Sequence, residues 1–533
     1  MRGFLQAVAA YYIRHNDEQD LGRYTFVFPN QRSQMFFRYA VDAARPHAQA
    51  RYMTMAELME KTAGLHRANA NELIVWLYVA YCKVRRSRPD GGEPEDFDRF
   101  RYWGEMLLRD FDETDRYLVD RLQLFKNVRD FKEIQSSYLT PDQLEIIRTY
   151  WGEDPYWGHL DSAPDDGNDF DRHPFWLRFG SENGRFPLLW QMLSDVYQEF
   201  HNILIAHRKC YPGMAFRIAA EKVRGGDLFY IGSDRTCVFI GFSDLSPSEL
   251  TVMRKLHLMR RAEFFWDYDP VLMGPEGCDM AGRFVGNYIK QMPQPVDLTG
   301  IHPATHSVEI ISCPTNAGQV PMALDRIRRN AAASTAIVLP DEDLLLPVLT
   351  QLDSEEFPSV CVSMSYPQRL TDMASLFAAV VSLQLRVIKR SGGDMEFFRN
   401  DVMELLAHPL IAIRYADDVR AIIDYLADNN TYNMPSEGVP TGALAAIFRR
   451  VDSDAPIQEV AAYVDGVLRF IADTLSEIPG RGLDRMVCAH LAAQTSELIS
   501  LVESYPEVTM RRNTFFRMVE SALLRSPVPL TSP

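Results

Sequence analysis

The hydrophobic residues of this chain form two kinds of pattern that alternate along its length. Short continuous runs of β-branched and aromatic residues, YTFVF at 24–28 and CVFIGF at 237–242, predict strands that are covered on both faces. Longer stretches with an apolar residue every three or four positions predict helices. One such stretch follows the first strand through a short polar turn, and its repeating apolar residues are Met35, Phe36, Tyr39 and Ala40. A strand, a turn and a helix in succession are the repeating unit of a parallel sheet.

The same two patterns predict the organisation of the whole chain. Further strands are predicted at 50–55, 261–269, 306–314 and 335–340, whereas 68–224 and 371–533 have almost wholly helical patterns, the first with a polar loop at 153–174. We therefore expect an α/β fold with two parallel-sheet domains and two large all-helical insertions. The first domain would combine 1–67 with 225–303 around the insertion 68–224, and the second would start at 304–370 before the insertion 371–533. The chain ends at SPVPLTSP without the closing strands of the second domain, so we expect a polypeptide that is cut short, by nature or by design.

Length and composition restrict the class of protein. A chain of 533 residues is long enough for three or four packed units. Its seven cysteines are scattered without a CxxC pair, which is typical of reduced thiols and excludes a zinc ribbon. No signal-peptide pattern opens the chain, and no stretch has the roughly 20 consecutive apolar residues that a membrane span requires. We expect a cytoplasmic protein without a membrane partner.

The net charge limits how the chain could contact nucleic acid. Its 56 basic and 72 acidic residues give a formal charge of −16, which argues against a protein that coats DNA indiscriminately. Basic clusters occur near 83–88, 254–261 and 326–329, and each alone is typical of a solvated helix face. Any DNA contact must therefore be local.

Five segments in serial order resemble the AddB subunit family of bacterial helicase–nuclease complexes, which has the UvrD-like helicase fold. They are FVFPNQRSQMFFRYAV at 26–41, RYMTMAELM at 51–59, CVFIGFSDLSPSELTVMRKL at 237–256, PTNAGQVPMALDRI at 314–327 and TAIVLPDEDLLLPVLTQL at 335–352. The resemblance implies two RecA-like domains, each interrupted by helices, followed by a PD-(D/E)XK nuclease domain that this chain does not contain. It also implies a role in DNA repair and recombination, with single-stranded or forked DNA and an AddA-like motor subunit as partners.

The resemblance also places the nucleotide-hydrolysis motifs, and they are degenerate. A motor of this fold needs a phosphate loop, but no GxxxxGK[ST] occurs and the expected region at 14–23 has one glycine and no lysine. The Walker B carboxylate position falls on Ile240, which cannot bind Mg²⁺. The acids at 341–343 follow a predicted strand as Walker B acids do, but they are better explained as caps of the next helix. We expect no cofactor, ATPase or nuclease activity in this chain.

Three further groups have the residue types of a catalytic or metal site. Gly241-Phe242-Ser243 is similar to the start of a nucleophile elbow, but Leu245 replaces its final glycine, and Ser243, Asp244 and Ser246 are expected to cap a helix that begins at Pro247. The acidic segment at 109–120 lacks the glycine and distal glutamate of a calcium loop, so we interpret it as a solvated helix start. The histidines His201 and His207 lack an HExxH motif and are expected to be core or surface residues.

Binding residues remain as candidates. In helicases of this fold the turn after the second β-strand contacts the backbone of single-stranded DNA. In this chain the resemblance places that turn at Asn30, Gln31, Arg32 and Ser33. Thr54, with Thr62 nearby, and Gln319 are further candidates, and simple turn chemistry is an equally good interpretation of all of them. The aromatic residues Phe242, Trp266 and Tyr268 could stack bases, but their continuous apolar runs favour the core.

The sequence thus favours a non-catalytic, helicase-like DNA-binding and scaffolding region of a double-strand-break repair subunit. A protein-interaction scaffold without nucleic-acid binding is the alternative. An active ATP-dependent helicase would require an unrecognised phosphate loop.

Overall fold

The structure is a computed structural model in which two compact units, residues 1–303 and 304–533, divide the chain. Each unit is described by itself. The described residues are 3–88, 93–121, 123–124, 185–228, 230–231, 235–269, 273, 282–298, 308–329, 335–352, 355–357, 360, 362, 365–389, 395–525 and 527–529. The predicted loop at 153–174 lies outside them.

A parallel sheet organises the first unit. The strands of this unit are β1 (Tyr24–Phe28), β2 (Arg51–Thr54), β3 (His66–Arg67), β4 (Lys209–Cys210), β5 (Thr236–Ile240) and β6 (Ala262–Phe265). Four of them form one sheet in the order β2-β1-β5-β6, and every neighbouring pair is parallel. The mixed α/β class and the four predicted strands of this unit are therefore confirmed, although the strand predicted at 261–269 is shorter than expected.

Ten helices are described in the same unit. They are α1 (Phe4–His15), α2 (Glu18–Leu21), α3 (Gln31–Asp42), α4 (Met55–Ala63), α5 (Ala70–Ser87), α6 (Phe97–Arg116), α7 (Arg185–Ala206), α8 (Pro212–Arg224), α9 (Pro247–Leu258) and α10 (Arg283–Gln291).

The sheet is covered on both faces, as its continuous apolar strands predict. Phe26, Phe28 and Ile240 point to one face, where they pack with α1 and α3. Val27 and Phe239 point to the other face, where they pack with α4, α8 and α9. Successive residues of a strand alternate between faces, so a strand buried on both sides needs apolar side chains at every position.

The two halves of the sheet are connected in opposite directions. The chain passes from β1 through α3 to β2 on one side, and from β5 through α9 to β6 on the other. The strand order therefore reverses between β1 and β5. In open α/β sheets such a reversal leaves a crevice at the carboxyl ends of the two strands.

A buried charged cluster connects α6, α7 and α8. The carboxylate of Asp115 is fully buried, and Arg217 Nε donates to it at 2.6 Å. The hydroxyl of Tyr197 donates at 2.5 Å, the hydroxyl of Tyr211 donates to the second carboxylate oxygen, and His201 Nε2 lies 3.3 Å from that oxygen. Burial alone would raise the pKa of Asp115, but the hydrogen bonds from His201 and the two tyrosines hold it below its usual value.

This cluster corrects the interpretation of the acidic segment at 109–120. The segment forms the last two turns of α6 and not a helix start, and Asp115 is a core residue and not a solvated one. The error arose because its partners lie 82 to 102 residues further along the chain, beyond any local pattern. His201 is buried, which agrees with one of the two predicted alternatives, a core or a surface residue.

Replacing Asp115 by Ala is expected to destabilise the first unit by about 3–5 kcal/mol, because the buried Arg217 would lose its close carboxylate partner and keep only the half-exposed Glu221 at 3.6 Å. Urea denaturation followed by far-UV circular dichroism measures this loss. The matched control is Asp110→Ala on the same helix, where an exposed carboxylate is removed and a change within about 0.5 kcal/mol is expected. Equal stability of the two variants would contradict a structural role for the cluster.

His201 gives the cluster a defined pH dependence. Burial lowers the pKa of His201 below its ordinary value of 6.5, although the carboxylate of Asp115 opposes that shift. Below pH 6.5 the unfolded chain takes up a proton that the folded chain excludes, so the free energy of unfolding should fall as the pH drops from 6.5 towards 5. Urea midpoints measured across this range should decline less steeply in His201→Gln. Parallel curves for the two proteins would rule out this assignment.

The second unit consists mainly of helices. They are α11 (Asn316–Arg329), α12 (Leu345–Gln351), α13 (Asp372–Leu385), α14 (Arg399–Ala407), α15 (Pro409–Ala412), α16 (Ala416–Asp428), α17 (Ala445–Phe448), α18 (Ile457–Ser476), α19 (Gly482–Ser504) and α20 (Arg512–Arg525). Its strands are β7 (Ser365–Pro367), β8 (Ile388–Lys389), β9 (Met395–Phe397), β10 (Met434–Pro435) and β11 (Pro527–Pro529). They form an antiparallel sheet in the order β10-β9-β8 and an antiparallel pair of β7 with β11.

The parallel strands predicted at 306–314 and 335–340 are not formed in the described parts of these segments. Residues 308–314 and 335–339 are irregular, with Val308 80% and Ile310 93% exposed. A strand of a sheet needs a neighbouring strand to pair with, and no described strand is hydrogen-bonded to either segment. The predicted helices that follow the two segments are present as α11 and α12.

Across the described ranges, every helix is too short or too polar to cross a lipid bilayer.

Candidate functional site

The carboxyl edge of the four-stranded sheet brings most of the predicted binding residues to one side of the first unit. Asn30, Gln31, Arg32 and Ser33 follow β1, Thr54 ends β2, and Gly241 follows β5. All the strands are parallel, so these residues lie at the same edge. The reversal of strand order between β1 and β5 puts the expected crevice there, which makes this edge the candidate functional site.

Two of the predicted residues are occupied by helix capping. Asn30 caps α3, and its side-chain oxygen accepts a hydrogen bond from the backbone N–H of Ser33 at 2.9 Å. Thr54 caps α4, where its hydroxyl accepts from the N–H of Glu57 at 3.3 Å and the Glu57 carboxylate accepts from the N–H of Thr54 at 2.8 Å. Simple turn chemistry therefore accounts for Asn30 and Thr54.

Gln31 and Arg32 have no such internal role. Both side chains are exposed at the start of α3, and neither has a hydrogen bond or an ion pair with a described residue. The guanidinium of Arg32 lies 5.8 Å from the centroid of the Phe36 ring, a cation–π contact that leaves its N–H groups free. The first turn of α3 also contains no acidic side chain. These two side chains are the donors that a ligand could reach.

On the β5 side of the crevice the residues are structural. Ile240 is fully buried among apolar side chains, which is consistent with its inability to hold a cation. Ser246 caps α9 in a reciprocal pair with Glu249, as expected, whereas Ser243 and Asp244 are exposed and do not cap it. Phe242 and Trp266 are buried, which confirms that they belong to the core. Within the described ranges no group of three His, Cys, Asp or Glu side chains could hold a metal ion.

Gln319 lies in the second unit. It is exposed in the first turn of α11, where its amide donates to Asn316 Oδ1 at 3.3 Å. In the same unit Asp341 accepts from the backbone N–H of Asp343 at 3.0 Å, within the short 3-10 helix Glu342–Leu344. The helix α12 that follows has no side-chain cap, so the predicted capping of that helix is wrong. Gln319 therefore remains a separate candidate.

A serine–histidine pair in the second unit was not noticed in the sequence. His408 Nε2 lies 2.9 Å from the hydroxyl oxygen of Ser375. His408 Nδ1 accepts from the backbone N–H of Leu410 at 3.3 Å, so the neutral ring carries its proton on Nε2 and donates to the serine. The Ser375 hydroxyl in turn donates to the carbonyl of Asp372. With this tautomer the imidazole cannot accept the serine proton, so the pair is not a nucleophile with its base.

An open cleft of about 330 Å³ lies between α14 and α16. Its rim carries the guanidinium of Arg399, which has no carboxylate partner among the described residues, and the exposed ring of Tyr432. Its lining contains no acidic side chain, and none of the residues predicted to contact DNA lines it.

The exposed face of α3 was missed in the sequence. Met35, Phe36, Tyr39 and Ala40 were expected to form its apolar stripe, but the residues that it buries are Phe37 and Val41. Phe36 and Tyr39 instead remain 45% and 62% exposed. The available signal was the number of apolar residues, because six of the eight at 35–42 are too many for one buried face.

The chain matches no protein-family model, and no curated protein matches it significantly. Its function is therefore argued from the site itself.

Replacing Thr54 by Ala is expected to lower the free energy of unfolding by about 1 kcal/mol, because the hydroxyl that accepts from the N–H of Glu57 is lost while the backbone N–H of residue 54 stays. Thr54→Ser keeps the hydroxyl and should retain most of that energy. Urea denaturation of the two variants beside the parent protein tests this directly. If Thr54→Ala is as stable as the parent, the hydroxyl is free for another role.

Proposed function

We propose that this chain is a non-catalytic, helicase-like DNA-binding and scaffolding region of a double-strand-break repair helicase–nuclease subunit. Its carboxyl sheet edge contacts the sugar–phosphate backbone of single-stranded or forked DNA. The observation that carries the proposal is the pair of free donors, Gln31 and Arg32, beside the crevice between β1 and β5.

The sheet supports the RecA-like part of the proposal. Its strands come from two separate stretches, 24–54 and 236–265, with α5 to α8 between them. A parallel sheet with helices on both faces and a reversal of strand order is the arrangement expected of the first RecA-like domain. We assign α5 to α7 to the proposed insertion at 68–224, whereas α8 packs on the sheet.

The donor types at the edge suit phosphate oxygens. An amide and a guanidinium both donate to phosphates, and such contacts position a strand without reading its sequence. The first turn of α3 has no acidic side chain, so no side chain of that turn compensates the positive end of the helix dipole. A local contact of this kind is compatible with a chain whose formal charge is −16.

The ATP-hydrolysing role would belong to an AddA-like motor subunit. Ile240 gives the Walker B position an apolar, buried side chain, and the sequence provides no phosphate loop before β1. A strand guided by this unit would therefore be moved by the partner and not by this chain.

A protein-interaction scaffold is the second candidate, and one observation favours it. Val308, Ile310 and Val338 of the second unit are at least 80% exposed, within segments whose apolar pattern is typical of buried strands. Exposed apolar surface of this kind is common at protein interfaces. It supports docking of a partner protein at the second unit, which this alternative assigns to the chain without nucleic-acid binding.

Replacing Arg32 by Ala is expected to weaken binding of a fluorescein-labelled single-stranded oligonucleotide and to reduce its salt dependence. Each lost phosphate contact should change the slope of log K against log salt by about 0.7 for a single strand. Fluorescence anisotropy between roughly 50 and 200 mM salt measures both effects.

Arg23→Ala is the matched control, since it removes an exposed arginine that precedes β1 at the amino edge of the sheet. Its affinity and slope should equal those of the parent protein. Absence of binding at the lowest salt, or equal slopes for the two variants, would contradict the proposal.

A further inference from the structure

We infer that the exposed face of α3 is a stacking platform for two unpaired bases, which makes the ligand a single strand with accessible bases and not a duplex. Phe36 and Tyr39 form the platform, and Arg32 holds a phosphate at its end. This inference rests on the proposed function and identifies the form of nucleic acid that the sheet edge accepts.

The two rings are exposed enough to receive a ligand, with the guanidinium of Arg32 5.8 Å from the centroid of the Phe36 ring. Phe36 is 45% and Tyr39 62% exposed, and neither ring is in contact with another described aromatic ring. No hydrogen bond from the Tyr39 hydroxyl to a described residue is present. Large aromatic side chains that expose this much surface next to each other are unusual away from binding sites.

The helix that carries them is held rigidly against the sheet. Phe37, on the opposite side of α3, packs against Phe26 at 4.8 Å and Phe28 at 5.2 Å between ring centroids. Val41 is buried beside the same strands. A platform on a fixed helix loses little conformational entropy when a base stacks on it.

The spacing along the helix suits consecutive nucleotides. Positions 32, 36 and 39 are related by i, i+4 and i+7, so they lie on one face of α3. The rise of about 1.5 Å per residue separates Phe36 from Tyr39 by roughly 4.5 Å along the axis. That is somewhat more than the spacing of about 3.4 Å per nucleotide along a stacked strand. Two successive bases of a partly extended strand can therefore each reach a ring.

The chemistry distinguishes a single strand from a duplex. Every base has an aromatic face, so stacking on Phe36 and Tyr39 would not depend on sequence. In a duplex those faces are covered by neighbouring base pairs, and only the phosphates remain for Arg32. The nearby Arg38 is paired with Asp42 at 3.2 Å, which leaves Arg32 as the free guanidinium of this face among the described residues.

Three labelled probes of about 12 nucleotides test the inference by fluorescence anisotropy: oligothymidine, an abasic oligomer with the same phosphates, and a duplex. The parent protein should bind oligothymidine at least about 5-fold more tightly than the other two. Phe36→Ala and Tyr39→Ala should each weaken oligothymidine binding by about 5-fold or more. Tyr39→Ala should leave abasic binding unchanged, because the cation–π contact of Arg32 is with Phe36. Arg32→Ala should weaken binding of both.

Two further variants exclude trivial explanations. Tyr117→Ala removes an exposed aromatic ring just after α6 and should change no affinity. Phe36→Tyr keeps an aromatic face and should bind oligothymidine as tightly as the parent protein. This variant also tests the role of the ring if Phe36→Ala is unstable.

The outcomes separate the two proposals. Equal binding of oligothymidine and the abasic oligomer by the parent protein would overturn the platform while leaving phosphate contact by Arg32 intact. Duplex binding as tight as that of oligothymidine would also overturn it. Absence of binding to every probe would overturn the proposed function and the platform together.

Discussion

The constraint on which the first unit depends is that β1 and β5 are buried on both faces. Phe26 and Phe28 fill one side of β1, and Val27 fills the other. Polar side chains within these strands occur only near their amino ends, at Tyr24 and Thr25 of β1 and at Thr236 of β5. The carboxyl halves are apolar, because burial of a polar group without a partner would cost several kcal/mol. At the carboxyl ends, polar chemistry is therefore left to the residues that follow each strand. The candidate site lies at the carboxyl edge for this reason.

A second constraint couples the helices to that sheet. One side of α8 carries Arg217, which pairs with the buried carboxylate of Asp115, while the other side packs Ala219 and Val223 into the core that covers the sheet. A buried charge of this kind contributes little net stability compared with an apolar core, but it penalises any arrangement that separates its partners. The cluster thus fixes α6 and α7 relative to α8. Through α8 it fixes them relative to the sheet that presents the site.

The features that the sequence predicts correctly depend on local information. The continuous apolar runs at 24–28 and 237–240 specify buried strands by themselves, and the caps Thr54 and Ser246 follow from residues three positions apart. The features that it misses depend on distant contacts. Asp115 is spaced like a surface acid, and only its partners from α7 and α8 make it a core residue. The segment at 308–314 has the pattern of a strand, but pairing requires a neighbour that the pattern cannot supply.

At the start of α3 one polar residue caps the helix and others are exposed, so residue type alone could not show which of them bind a ligand. Asn30 and Arg32 are both polar residues of one turn, yet the side-chain oxygen of Asn30 is committed to the N–H of Ser33 and the guanidinium of Arg32 is committed to no acceptor. A ligand that used the Asn30 side chain would have to displace a cap that is itself worth about 1 kcal/mol. A ligand that used Gln31 and Arg32 displaces no internal hydrogen bond. The cap therefore holds the helix end in place, and the two residues after it remain free to bind.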